Sequence, residues 1–183
     1  MNILKTLAAG AALMISAGSA SAAIIYADSV ISADQNGTPV AAERSNTANA
    51  LSAPDGKFYS LGKGGTITLG FAALGTGEVA IYEITGGNVL NHLESVDVFA
   101  VQGGSETFIG SLSNTVASAS GGASLMYTGW FDSLKLVDTS SADSIDGFDL
   151  DAIAVSQVPL PASALLLVGG LAGFGALRRK KKA

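Results

Sequence analysis

The chain contains no cysteine, which excludes a disulfide framework, a thiolate nucleophile and any Cys-ligated metal or cluster. Whatever fold it adopts must be held by its core. Histidine is nearly as scarce. His92 is the only one, and a Ser-His-Asp relay would have to recruit it from "NVLNHLES", which has no nucleophile-elbow context and reads as a surface loop. Cations are missing from the middle of the chain: all 15 acidic residues fall between Asp28 and Asp151, and that stretch carries only Arg44, Lys57, Lys63 and Lys135 against them. A surface of that sign repels nucleic acid and attracts divalent cations, so the sequence predicts no DNA or RNA partner. No repeat of fixed period occurs, which argues against a solenoid or propeller. "GKFYSLGKG" fails as a phosphate loop, because Gly56 and Gly62 are one residue too far apart, Lys63 precedes Gly64 instead of Ser or Thr, and no helix follows.

What is present in the middle is strand pattern. "GTITLGFA" alternates Ile67, Leu69 and Phe71 with Thr66, Thr68 and Gly70, giving one apolar and one polar face. Runs rich in β-branched and aromatic residues follow at "EVAIYEIT", "ESVDVFAVQ", "ETFIGSL", "LMYTGWFDSLKLVD" and "FDLDAIAV", with "IIYADSVIS" and "KFYSL" before them. Turn formers separate them, at "DG", "GKGG", "GTG", "TGGN", "QGG" and "SGG". "ADQNGTPVAAERSNTANA" and "SNTVASASGGAS" lack periodicity and read as long loops. The expected fold is all-β, a single jelly-roll-like sandwich of about eight strands.

The two ends have other textures. "MNILK" is a short basic start, "TLAAGAALMISAG" an uncharged apolar run, and "SASA" places Ala20 and Ala22 in an A-x-A cleavage pattern, so residues 1–22 read as a secretory signal and the mature chain as beginning at Ala23. The other reading, an N-terminal core helix, must explain two glycines and no polar face. At the far end, residues 158–183 run "VPLPASALLLVGGLAGFGALRRKKKA". The apolar run Ala162 to Leu177 spans about 24 Å as a helix, short of the roughly 30 Å hydrocarbon core. The basic cluster Arg178, Arg179, Lys180, Lys181 and Lys182 orients such a segment with the C-terminus in the cytoplasm and residues 23–157 outside. Those intervening residues suffice for one domain.

The three-part tail resembles the VPLPA-CTERM sorting signal, a variant of the PEP-CTERM tails on exported proteins of Gram-negative bacteria: a proline motif (Val158, Pro159, Leu160, Pro161, Ala162), a hydrophobic helix and an Arg/Lys cluster. The resemblance implies recognition and cutting by a membrane-embedded exosortase, after export by the secretion machinery and a transient stay in the inner membrane. Permanent anchoring without processing is the alternative. Lacking cysteine, the chain resembles the substrate and not the peptidase. "NALSAPDGKFYSLGKGGTITLGF", "ESVDVFAVQGGSETFIG" and "LKLVDTSSADSIDGFDLDAIAV" resemble a β-sandwich domain of cargo proteins with such tails, itself similar to galactose-binding, discoidin-like jelly rolls. That implies a fold more than an activity.

Two groups of residues carry chemistry. In "DSIDGFDLDAIAV", Asp149 and Asp151 are expected on one strand face with Ile153 and Val155, at the rim of the core where unpaired charge is costly. With Asp146 they form a hard oxygen set suited to Ca²⁺. The competing reading has Asp146 and Asp149 capping the "DG" turn and Asp151 binding backbone amides. In "MYTGWF", Tyr127 and Trp130 offer a sugar-stacking platform, with the glycine letting the indole project from a loop, against the reading of Trp130 as core. The sequence predicts a non-enzymatic surface or extracellular-matrix protein, with a carbohydrate-binding module or adhesin for extracellular polysaccharide as the alternative; the remaining class is a hydrolase. The last requires two convergent carboxylates in a cleft; the sequence singles out no such pair and predicts a non-enzyme.

Overall fold

The computed structural model describes residues 23–85, 89, 92–114, 122–141 and 144–157. The signal segment, with Ala20 and Ala22, and the tail from Val158 onward lie outside the described residues. Eight strands are present among them: β1 (Ile24–Tyr26), β2 (Ser29–Asp34), β3 (Tyr59–Ser60), β4 (Thr66–Glu83), β5 (Ser95–Gln102), β6 (Ser105–Ser113), β7 (Ala123–Asp138) and β8 (Asp149–Gln157). All pair antiparallel, in the order β1-β8-β4-β7-β5-β6, with β2 added on β4 and β3 on β8.

The strand number matches the expectation by two compensating differences. "IIYADSVIS" is two strands, because the chain changes partner in its middle: the Ala27 amide donates to the Ile153 carbonyl and the Asp28 amide to the Gly70 carbonyl, so β1 lies on β8 and β2 on β4. "GTITLGFA" and "EVAIYEIT" are one strand. The glycines between them make register shifts at Gly70, Gly75 and Gly77 instead of a turn, the bulge-and-bend use of glycine inside a strand.

This bend builds the sandwich. The first end of β4 pairs with β2 and with the far half of β7, while its second end pairs with β8 and with the near half of β7. The two long strands therefore run through both layers, and the sheet curls onto itself. Ile67, Leu69, Val79 and Ile81 from the two ends of β4 pack into one core with Val96, Val98, Leu134, Leu136, Ile153 and Val155. At the bend, Phe131 lies opposite Gly75, fully buried, with Phe71 edge-on at 5.8 Å and Tyr127 at 6.1 Å.

The first expected loop contains two 3-10 turns, Ala42–Arg44 and Thr47–Ala50, the second capped by the Asn46 side chain accepting from the Ala48 amide. Asn49 ties this segment down through its amide, which donates to the carbonyls of Glu43 and Phe58. That places Arg44 beside the start of β8.

One expectation about β8 is corrected. Tyr82 pairs with Ala152 but Glu83 pairs with Leu150, so Asp151 is an extra residue in the ladder. A one-residue bulge reverses the facing of everything beyond it. Leu150, Ile153 and Val155 share the core face, and Asp149 lies on the other side.

Candidate functional site

The acidic residues gather at the end of the sandwich where β4 stops and β8 starts. Glu83 is the last residue of β4 and Glu94 immediately precedes β5, while Asp146 and Asp149 flank Gly147 and Phe148. A short-range net of backbone bonds locks this end. The Leu61 amide donates to the Phe148 carbonyl and the Gly62 amide to the Asp146 carbonyl; the Phe148 amide donates to Asp138 Oδ1 at 2.9 Å; and the Gly147 amide donates to Ser144 Oγ. Gly147 has φ +78°, and a Cβ there would stand 2.6 Å from the Gly62 carbonyl oxygen, so only glycine fits the turn.

Six carboxylates are buried among the described residues, and they divide by partner. Asp138 accepts from the Gly64 and Phe148 amides and the Ser140 hydroxyl, and Asp151 accepts from the Asp55 and Gly56 amides at 3.1 and 3.2 Å. Both are saturated structural groups, and Asp151 does what the amide-binding reading expected of it. The other four converge. Asp146 takes the Arg44 guanidinium, and Ser60 Oγ bridges Asp146 and Asp149. Thr85 Oγ1 bonds to both oxygens of Glu83. Glu94 Oε1 receives a long bond of 3.4 Å from Ser144 Oγ, while its buried Oε2 has no hydrogen-bond donor. The Glu83 carboxyl is its neighbour, and two carboxyls bond only if one carries a proton. One oxygen each from Glu94, Asp146 and Asp149 lies within 4.8 Å of the others.

So many acids near one guanidinium shift their protonation. Burial pushes the Glu94 carboxyl up to about 9, with the charges of Asp149, Glu83 and Asp146 adding to it. Burial likewise raises Glu83 to about 7 against the opposing bond from Thr85, and Asp149 to about 7 against the opposing bond from Ser60. A carboxyl that titrates higher folded than unfolded binds more protons in the folded state between the two values, so stability declines as pH rises through that window. In chelator-containing buffer the melting temperature is expected to fall between pH 5 and pH 8.5, each such group contributing at most about 1.4 kcal/mol per pH unit. Glu94→Gln should flatten the decline; a melting temperature independent of pH in the parent protein would contradict the arrangement.

Glu94, Asp146, Asp149 and Arg44 line a cleft of about 180 Å³ together with Phe58, Ile84, Thr85, His92 and Ile145. Arg44 covers one side, its guanidinium carbon 5.5 Å from the centre of the Phe58 ring, a cation–π contact. His92 lies in a bend before β5, the loop position expected, where it is half-buried and lines the cleft outside the close carboxylate group. Asp146 and Asp149 are brought together as the sequence predicted; Asp151 is not with them. Glu83, Glu94, Ser60 and Arg44 were missed. Glu83 alone carried a signal, since it follows Val79 and Ile81 in step on the inward face of its strand.

The aromatic pair is divided. Tyr127 and Phe131 point inward from β7, and Trp130 points outward, half exposed, on the same face as exposed Met126. Trp130 is in mid-strand, not on a loop, and not in the core. Gly129 serves the other ring, because a Cβ there would fall 2.4 Å from the Tyr127 hydroxyl. The two side chains therefore do not form one platform.

Among solved structures, three similar chains each align with 75% of this one. A truncated AlyQ with CBM32 and alginate lyase domains is 11% identical at a TM-score of 0.47, and the present chain spans 34% of its length. The CBM32 of AlyQ in complex with 4,5-unsaturated mannuronic acid is 12% identical at 0.42, with 96% of that chain covered. GH31 CBM32-2 bound to GalNAc is 14% identical at 0.39, with 99% covered. No protein-family model matches the chain, and no curated protein matches it. At this distance function has to be argued from the chain's own residues.

Proposed function

We propose that the chain is an exported, non-catalytic β-sandwich module of a Gram-negative cell surface or extracellular matrix, which touches polysaccharide through the outward face of β7. The location rests on the sequence: the A-x-A signal ending at Ala22, and the proline motif, apolar run and basic cluster of residues 158–183, which resemble an exosortase substrate's tail. The contact rests on one observation, the exposed indole of Trp130, half solvent-accessible in the middle of a strand where its neighbours Phe131 and Tyr127 are packed. A large aromatic left on an open sheet face offers the flat apolar surface on which a sugar ring stacks.

Non-catalytic is the reading best supported by the cleft, although carboxylates do converge there. Its volume of about 180 Å³ is below the roughly 300 Å³ at which ligand pockets begin.

The test is recovery of the protein from its own host. It is expected in the surface or matrix fraction, with a mass lacking residues 1–22 and the segment after Val158–Ala162, and bound to matrix polysaccharide. Trp130→Ala should weaken that binding about tenfold or more, the loss of one stacked ring, without changing the melting temperature. Cytoplasmic recovery of the uncut chain would refute the location, and unchanged binding by the variant would refute the contact.

A further inference from the structure

We propose that the cleft bounded by Glu94, Asp146 and Asp149 is a Ca²⁺ site. Convergent acids alone would not carry this. What does is Glu94 Oε2, which is buried without a donor on a residue only 6% exposed, whose carboxylate faces two others within 4.8 Å. A buried acceptor with no donor costs about 1–3 kcal/mol, and more when charged. In a cleft this full of oxygen, a cation is the partner that satisfies every carboxylate at once.

The donor set selects the ion. It consists of carboxylates with the Ser60 hydroxyl between two of them, and His92 contributes no nitrogen to the close group. Hard oxygen ligands without nitrogen or sulfur suit Ca²⁺ or Mg²⁺ and not zinc or copper. The oxygens come from two chain segments, Glu94 before β5 and the turn that carries Asp146 and Asp149, and a set assembled across the fold suits the larger ion with its flexible shell better than one that demands a near-ideal octahedron. Arg44 stands on the solvent side as the resident cation. Its side chain is 42% exposed, so it can release Asp146 and turn outward when a divalent ion enters. Glu83, held by Thr85 behind Glu94, adds charge without being a required ligand. The rival way to satisfy Glu94 is a proton shared with Glu83.

The experiment uses the full chain in mild detergent, stripped with EDTA and melted at pH 7.5 with CaCl₂ or MgCl₂. At about 10 mM Ca²⁺ the melting temperature should rise by roughly 5 °C, as for a site of extracellular-module affinity, with less than half that rise in Mg²⁺. Glu94→Gln should melt higher than the parent when metal-free and lose the Ca²⁺ increment. Arg44→Gln, at a half-buried position on the solvent side, should lower the half-saturating Ca²⁺ concentration about tenfold by removing the competing charge. No rise in the parent protein, an equal rise in Glu94→Gln, an equal effect of Mg²⁺, or weaker Ca²⁺ binding in Arg44→Gln would each overturn the assignment. The first of these results would leave the shared proton as the account of Glu94. Polysaccharide binding at Trp130 stands or falls separately.

Discussion

Gly65→Ala is expected to abolish the folded state. A Cβ on this residue would stand 1.9 Å from the Leu61 carbonyl oxygen and 2.7 Å from that of Asp34. Both obstacles are backbone, one on each side, so no side chain can swing away. Gly65 is also pinned by its own bonds, its amide donating to the Gly62 carbonyl and its carbonyl accepting from the Asp138 amide. Any displacement therefore passes to Asp138, which holds the Phe148 amide and with it the turn carrying Asp146 and Asp149. The destabilisation should exceed about 4 kcal/mol, the range reserved for substitutions that a structure cannot absorb. Gly103→Ala makes the comparison, since a Cβ there meets nothing within 4 Å and only the positive φ of 56° is strained, a cost of about 1 kcal/mol. Urea titration of both variants checks the pair; similar midpoints would show that the 61–65 turn yields more easily than its contacts require.

Phe131→Ala should be the costliest change of a core side chain. The ring is fully buried at the bend shared by both layers, where it has Phe71 edge-on and Tyr127 tilted against it. Truncation removes the transfer energy of the ring and leaves a cavity bounded by strands that cannot close, together about 3–5 kcal/mol, or a fall in melting temperature of about 10 °C or more. A second substitution makes the prediction sharper. A Cβ at Gly75 would lie 2.4 Å from two ring atoms of Phe131 and 3.0 Å from a third, and these are its three nearest atoms. Gly75→Ala should therefore be strongly destabilising alone and nearly harmless in the Phe131→Ala background, because the methyl then enters the space the ring has left. Additive costs in the double variant would place the clash elsewhere.

The glycines around Gly75 show how far strand reading goes. Alternation in Ile67 and Leu69 identified one inward face correctly, because a period of two is written in the residues themselves, and Val79 and Ile81 repeat that period beyond the bend. Whether the glycines between them turn the chain or bend a continuous strand was not written there. Glycine permits both, and the choice is made by Phe131, a residue far along the chain that needs the space above Gly75. The outward position of Trp130 follows from the same parity, once Phe131 is known to be inside.

The acidic cleft divides along similar lines. Composition and order determine that residues 23–157 are acidic, that they have no thiol chemistry, that their segments are strands, and that Asp146 and Asp149 lie close to each other along any path of the chain. Each of these depends on residue type or on neighbours a few positions away. Which carboxylates meet depends on longer range. Arg44 and Asp146 are 102 residues apart, and Glu94 reaches the cleft because β5 starts where β4 ends and β8 begins. The one-residue bulge at Asp151 then turns that side chain to the Asp55 and Gly56 amides and separates it from Asp149, which it should have accompanied. A bulge is an outcome of pairing, set by how Glu83 and Tyr82 register against the next strand, and no local pattern in "FDLDAIAV" announces it. Local chemistry fixes the charge and the strands; pairing between distant segments decides which charges are left facing one another without a partner.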